Sequence, residues 1–261
     1  MKSIEIGRFA SLSYAGQEAI NTLCTNLSFS GENMKRIMVT STHASEGKSF
    51  LTMNIARTMA KYGKRVVLVD ADLRRSTLAS KHKFAFPDEM NKWGLAHLLA
   101  GMVDEKSVVY STNIEGVYMV PVGRSVSNPL PLLNSEHFSQ LLNNLAASFD
   151  YVLVDAPPVG TVIDAAEIAK SCDGTLIVVN YNAVHRQELI DVKAQIEQTG
   201  CTIIGTVLNM VEMDNYLSRK YYYKSYYSRY SDYDADNGDR GFGARLRRRF
   251  RKKGSSGQGK R

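Results

Sequence analysis

The chain has 261 residues and a formal net charge of +7, with 44% hydrophobic and 23% charged residues. That composition excludes wholesale disorder, and no apolar run approaches the roughly 20 residues of a membrane-spanning helix. The charge is uneven: residues 240–261 hold ten Lys/Arg and no Asp/Glu, so the +7 total leaves residues 1–239 at −3, without the basic stripe expected of a nucleic-acid-binding fold.

Residues 1–9 have neither an apolar core nor a cleavage pattern, so no secretory signal is expected. Residues 17–29 read as a helix ahead of the first strand, within an N-terminal helical segment spanning 1–35. Apolar runs follow at 36–41, 65–70, 116–122, 150–155, 175–180 and 202–209. They are rich in Val, Ile and Leu without polar alternation, as strands covered on both faces are. Helical patterns separate them at 48–62, 95–100, 136–148, 164–171 and 186–198. The last places Leu189, Val192 and Ile196 on one face, and Gly200 stops it. Strand alternating with helix predicts an α/β domain over 36–211, a mostly parallel sheet with helices on both faces. Such sheets bind ligands outside the carboxyl ends of their strands. A tyrosine-rich segment at 212–239 and a basic tail at 240–261 follow, both expected to be disordered. Cys24, Cys172 and Cys201 show neither metal-ligand nor redox spacing and read as reduced thiols of a cytosolic protein.

Three strand ends carry candidate chemistry. The run 37–40 leads into Ser41-Thr42-His43-Ala44-Ser45-Glu46-Gly47-Lys48-Ser49 and then a helix. Strand, tight loop, Gly-Lys-Ser and helix is P-loop geometry, in which backbone N–H groups and a helix N-terminus cradle phosphates. Lys48 then reaches the β/γ-phosphate oxygens and the Ser49 hydroxyl binds Mg²⁺. Thr42 stands where the strict pattern has its first glycine. His43 reads as an exposed loop histidine rather than a ligand. The second strand ends in Asp70-Ala71-Asp72-Leu73-Arg74. Asp70 and Asp72 point the same way from an extended backbone and together favour a dication. The run 151–154 delivers Asp155, the Walker B arrangement, and Asp164 beyond it reads as a helix N-cap.

Eight of the fourteen tyrosines, Tyr216, Tyr221, Tyr222, Tyr223, Tyr226, Tyr227, Tyr230 and Tyr233, crowd into residues 216–233 with Lys, Arg and Ser between them. No helix or strand period fits. An aromatic stretch packing on a partner, a single-stranded nucleic-acid site and a phosphoacceptor array all remain open; the nucleotide site in the same chain favours the last.

The chain resembles the bacterial tyrosine kinases (BY-kinases) of capsular and exopolysaccharide synthesis. The matching residues are Glu46 to Ser49, Val69 to Arg74, Val154 to Pro158, Asn128-Pro129, Gly205 to Asn209 and the tyrosine cluster. The resemblance implies a P-loop NTPase-like fold and an ATP- and Mg²⁺-dependent protein-tyrosine kinase. Lys48 and Ser49 take phosphates and metal, with Thr42, Ser45, Glu46, Gly47 and Phe50 completing the nucleotide contacts. Asp70, Asp72 and Asp155 are the metal and catalytic carboxylates, Asp70 or Asp72 being the base for the tyrosine hydroxyl, and Asn209 holds the adenine-binding position. It further implies a cytoplasmic chain recruited to the inner face of the membrane by a chain-length-regulator-type transmembrane activator, a cognate tyrosine phosphatase, and homo-oligomeric ring assembly. The basic tail adds an anionic membrane surface as a candidate partner, and no nucleic-acid partner is expected. A P-loop ATPase switch and a nucleotide-gated scaffold of degraded kinase fold are the competing readings. Two departures stand out. Ala44-Ser45 replaces the family's Pro-Gly, so a left-handed backbone at 45 would strain the loop. Glu18 is followed by Asn21 and Cys24 where the family carries two arginines of a ring contact, and neither an amide nor a thiol replaces a guanidinium fork.

Overall fold

The computed structural model describes residues 2–211 except 10, 32, 89–91 and 182. The expectations for 212–239 and 240–261 lie outside the described residues.

In chain order the elements are β1 (Ser3–Ile6), α1 (Tyr14–Ser28), β2 (Arg36–Ser41), α2 (Lys48–Lys61), β3 (Val66–Asp70) and α3 (Leu78–Lys81). There follow β4 (Phe84–Ala85), α4 (Leu95–Leu99), α5 (Glu105–Val108), β5 (Tyr110–Thr112), β6 (Val117–Val120) and α6 (Leu130–Leu133). The series ends with α7 (Glu136–Ser148), β7 (Tyr151–Asp155), α8 (Asp164–Ala169), β8 (Gly174–Asn180), α9 (Arg186–Glu197) and β9 (Thr202–Asn209). The strands form one sheet in the order β4-β1-β5-β6-β3-β7-β2-β8-β9. From β6 to β9 every neighbouring pair is parallel.

The apolar runs explain the burial. Every residue of Val66–Asp70 is buried, and successive side chains feed opposite faces. Val67 and Val69 join Val152, Val154 and the inner faces of α4, α7, α8 and α9. Val66 and Leu68 join Leu153, Ile37, Val39 and the inner faces of α1 and α2. Each fully buried Leu or Val of these strands contributes about 1.5–3 kcal/mol of transfer free energy.

The structure corrects the N-terminal reading. Residues 3–6 are strand, not part of a helical segment: Ile4 and Ile6 are buried while Ser3 and Glu5 are exposed. β1 pairs parallel to β5 and antiparallel to β4, and β5 runs antiparallel to β6, so the otherwise parallel sheet is finished by a mixed edge. Four alternating residues are too short a run to announce a strand. In α1, Cys24 packs against α2, its Sγ 3.9 Å from Ile55 O, and burial pushes its thiol up to about 12. Asn21 donates to Glu18 Oε1 at 3.0 Å. Position 24 is therefore core in this chain.

Candidate active site

The sheet order places β7 between β3 and β2, so their carboxyl ends meet. The register sets Asp70 and Val39 each beside Asp155. β2 ends two residues beyond Val39, so the loop after it starts at the same edge.

That loop is held by side chains rather than by glycine alone. Glu46, 2% exposed, accepts from His43 N at 2.8 Å and from Asn180 N at 3.0 Å, tying the loop to itself and to the end of β8. Asn209, at the end of β9, donates from Nδ2 to Glu46 O at 2.8 Å. The Ser41 hydroxyl donates to His43 O at 2.6 Å. Gly47 turns the chain into α2 with φ 90°, and a Cβ there would stand 2.1 Å from Asn209 Nδ2. Glycine is required on both counts. Ser45 adopts φ 65°, so the serine does sit in the left-handed region that its neighbours in sequence made suspect. No side chain caps α2, which leaves its first N–H groups to a ligand.

The ionisable groups are pushed toward neutrality. Burial lowers the Lys48 ammonium, against the pull of Asp155, Asp72 and Glu46. Burial first, and then the neighbouring Asp155 charge, hold Asp70 well above the ordinary carboxylate range, although the Ser76 hydroxyl donates to it. Burial raises Asp155 to about 6 despite a hydrogen bond from Ser49 and the charge of Lys48. Asp72 stands past the strand end, partly exposed, and its Oδ1 accepts from Arg75 N at 3.0 Å.

A cavity of about 830 Å³ opens here, with Ser45, Gly47, Lys48, Ser49, Phe50, Asp72 and Asp155 in its wall. Among the described residues, three buried side-chain oxygens have no hydrogen-bond partner: Thr42 Oγ1, Asp70 Oδ1 and Asp155 Oδ1. Orphaned carboxylate oxygens beside a lysine and a serine hydroxyl suit a magnesium–phosphate group. Among the described residues no cluster of three or more His, Cys, Asp or Glu can enclose a metal. A magnesium ion would thus complete its shell with phosphate oxygens and water, its usual habit.

Of the sequence-predicted residues, Lys48, Ser49, Phe50, Ser45, Gly47, Asp72 and Asp155 come together around the cavity. Asp70 is buried beside Asp155 and does not line the wall. Glu46 and Asn209 grip the loop backbone. The eight tyrosines lie outside the described residues. Asp164 is corrected: Ile163 occupies the N-cap, and the Asp164 carboxylate, 1% exposed, takes Arg74 through Nε at 2.5 Å and Nη2 at 2.9 Å. Arg74 Nη1 also donates to Ser127 O at 3.0 Å. His43, half-exposed, places Nε2 3.3 Å from Glu188 Oε1 on α9. Ser76 and the Arg74–Asp164 pair were not anticipated; no spacing rule links residues 90 positions apart.

Fold and site together define a P-loop NTPase-like α/β protein. An AAA-domain family model matches residues 34–212. The chain is 36% identical over 197 residues to the tyrosine-protein kinase CpsD of Streptococcus pneumoniae, covering 76% of this chain and 85% of that one. It is similar to the kinase domain of the Escherichia coli tyrosine kinase ETK at a TM-score of 0.70 and 30% identity, covering 75% of this chain and 76% of that chain. The septum site-determining protein MinD of Pyrococcus horikoshii, solved with Mg-ADP, shares the fold at a TM-score of 0.57 and 23% identity, over 70% of this chain and 73% of that chain. The chain belongs to the bacterial tyrosine kinases.

Proposed function

We propose that this kinase uses ATP and Mg²⁺ to phosphorylate its own C-terminal tyrosines, one copy acting on the tail of another, and that this regulates capsular or exopolysaccharide synthesis or export. The observation that carries the reading is the pair of buried carboxylates with orphaned oxygens, set beside Lys48 and Ser49 at the foot of an uncapped helix.

Bound ATP would supply the transferable phosphoryl group, with magnesium neutralising charge on its phosphates. The protein's part is positional. The first N–H groups of α2 and Lys48 hold the phosphates. Ser49 and Asp155 hold the metal side, with Asp70 behind them. Asp72, partly exposed, would take the proton of an incoming tyrosine hydroxyl, whereas Asp70 is buried. Asn209 steadies the loop and is the proposed edge of the adenine site. The Glu46 clamp supports a preformed loop despite Ser45.

Partners follow from chemistry and family. A chain-length-regulator-type membrane protein would activate and recruit the kinase to the inner face of the membrane, and a tyrosine phosphatase would reverse it. No helix among the described residues is long and apolar enough to cross a membrane. The basic tail suits anionic lipid. Each phosphotyrosine adds about −1.5 to −2, so full modification outweighs the ten tail cations and releases the contact.

The test is intact mass after Mg²⁺-ATP, with and without an activator's cytoplasmic tail, beside Lys48→Met. A phosphate ladder mapping to 216–233 and absent from the variant is expected. ATP hydrolysis with no mass change would make the chain an ATPase switch, and no turnover at all would make it a scaffold.

A further inference from the structure

The cavity is wider than the phosphate cradle. Arg8, Arg75, Lys81 and His82 line it as well. This wall is built. Arg8 N donates to His82 O at 3.0 Å, and the His82 ring meets Arg8 O through Nδ1 at 2.9 Å. Facing a carbonyl, Nδ1 must carry the proton. His82 is 7% exposed, with the rings of Phe9 and Phe84 each 6.3 Å from its own. The arginine's backbone is thereby fixed at the cavity edge, next to the end of α3 where Lys81 stands. Arg8, Arg75 and Lys81 are exposed, and none makes an ion pair among the described residues. Arg74 differs, being taken by Asp164. Lys81 is near enough for its charge to act on both Lys48 and Asp155. Three cations without carboxylate partners beside a phosphotransfer centre fit an anion that arrives with the acceptor.

The sequence contains such an acceptor. Tyr221 to Tyr230 lie among Arg219, Lys220, Lys224 and Arg229, whereas Tyr233 stands between Asp232 and Asp234 with Asp236 three residues on. Resting on the kinase reading above, we propose that Arg8, Arg75 and Lys81 form an acceptor subsite that selects a tyrosine with an anion about three residues C-terminal to it, so that Tyr233 of another copy is phosphorylated first. The order of two further sites then follows from spacing. Phosphotyrosine 233 stands three residues beyond Tyr230, and Tyr230 three beyond Tyr227, whereas Tyr226 has Arg229 at that spacing. Each modified tyrosine supplies the anion for the next, since a phosphate carries more charge than a carboxylate. Modification therefore runs from Tyr233 through Tyr230 to Tyr227, ahead of the tyrosines that lack an anion at that spacing.

Site-resolved mass spectrometry of the full chain during a Mg²⁺-ATP time course tests this. Tyr233 should lead Tyr221–Tyr223 by about tenfold in half-time, the equivalent of one or two charge-assisted contacts. Asp234→Asn with Asp236→Asn should erase that lead while leaving residues 2–211 untouched. Arg75→Ser with Lys81→Ser should erase it too, and Lys81→Arg should keep it. Salt at about 1 M, where screening acts within roughly 3 Å, should flatten the order. Equal rates at all eight tyrosines, or an unchanged order in the aspartate variant, would overturn the subsite alone. ATP hydrolysis without phosphate on any tyrosine would overturn the kinase reading and the subsite with it.

Discussion

Asp155→Asn should make the protein more stable at neutral pH while disabling its site. Asp155 is 3% exposed, and its carboxyl titrates near 6 rather than 3.8 because burial outweighs the help of Ser49 and Lys48. The folded state therefore holds a proton that the unfolded chain releases, and between about pH 4 and pH 6 stability falls as pH rises. Above that window the penalty is complete. A shift of about two units corresponds to about 3 kcal/mol. Asparagine keeps the shape, removes the charge and relieves Asp70, on which the Asp155 charge also acts. Urea unfolding at pH 5, 6 and 8 without nucleotide or Mg²⁺ measures the effect. The variant should gain about 2–3 kcal/mol over the parent at pH 8 and only a fraction of that at pH 5. The parent should lose stability across the window more steeply than the variant, in which only the buried Asp70 still opposes ionisation. A variant less stable than the parent at pH 8, or one with the same pH slope, would refute the argument. Mg²⁺ should then stabilise the nucleotide-bound parent and leave the variant unmoved.

Three other outcomes follow from named contacts. Ser45→Gly removes a left-handed serine; the relief of about 1–2 kcal/mol exceeds glycine's entropic penalty, so the melting temperature should rise by a degree or more and ATP affinity should not fall. Arg74→Ala leaves Asp164 buried without its partner and should cost about 3 kcal/mol in denaturant unfolding, whereas Arg74→Lys, which keeps charge but loses the fork, should cost less. A Lys48→Met chain mixed with an active chain ending at residue 211 should acquire phosphate on its own tail; an unlabelled tail would refute transfer between copies.

The central sheet was legible because β2, β3, β7 and β8 are unbroken apolar runs that no amphipathic element mimics. β1 was not, because Ile4 and Ile6 alternate over four residues and draw their burial from β4 and β5, far along the chain. Lys48 and Ser49 were legible because a tight loop and a helix follow β2, and Asp72 and Asp155 because each sits at or just past a strand end. Asp164 misled because an Asp opening a helix ordinarily caps it; only the fold reveals that Arg74 claims the carboxylate. The wall of Arg8, Lys81 and His82 had no local signature either, since it is assembled by the backbone pairing of residues 8 and 82. Family resemblance named the glycine missing before Glu46, and the φ of Ser45 supplied its physical meaning.

The site's electrostatics link binding to ionisation. Burial drives Lys48, Asp70 and Asp155 each toward the uncharged form. The cradle thus has charges it cannot comfortably keep, and a ligand carrying both phosphates and a dication returns them. Magnesium favours the ionised carboxylates, so binding should release protons on the acidic side, while phosphate steadies the charged form of Lys48 that burial disfavours. Stabilisation by ligand grows with its concentration over its dissociation constant, and here that constant should weaken about tenfold per pH unit below 6, where Asp155 must first lose its proton. Calorimetry of Mg²⁺-nucleotide binding at pH 5.5 in two buffers of different ionisation enthalpy counts those protons. A heat independent of buffer would mean that Asp155 is ionised before the ligand arrives, and the burial argument for this site would fail.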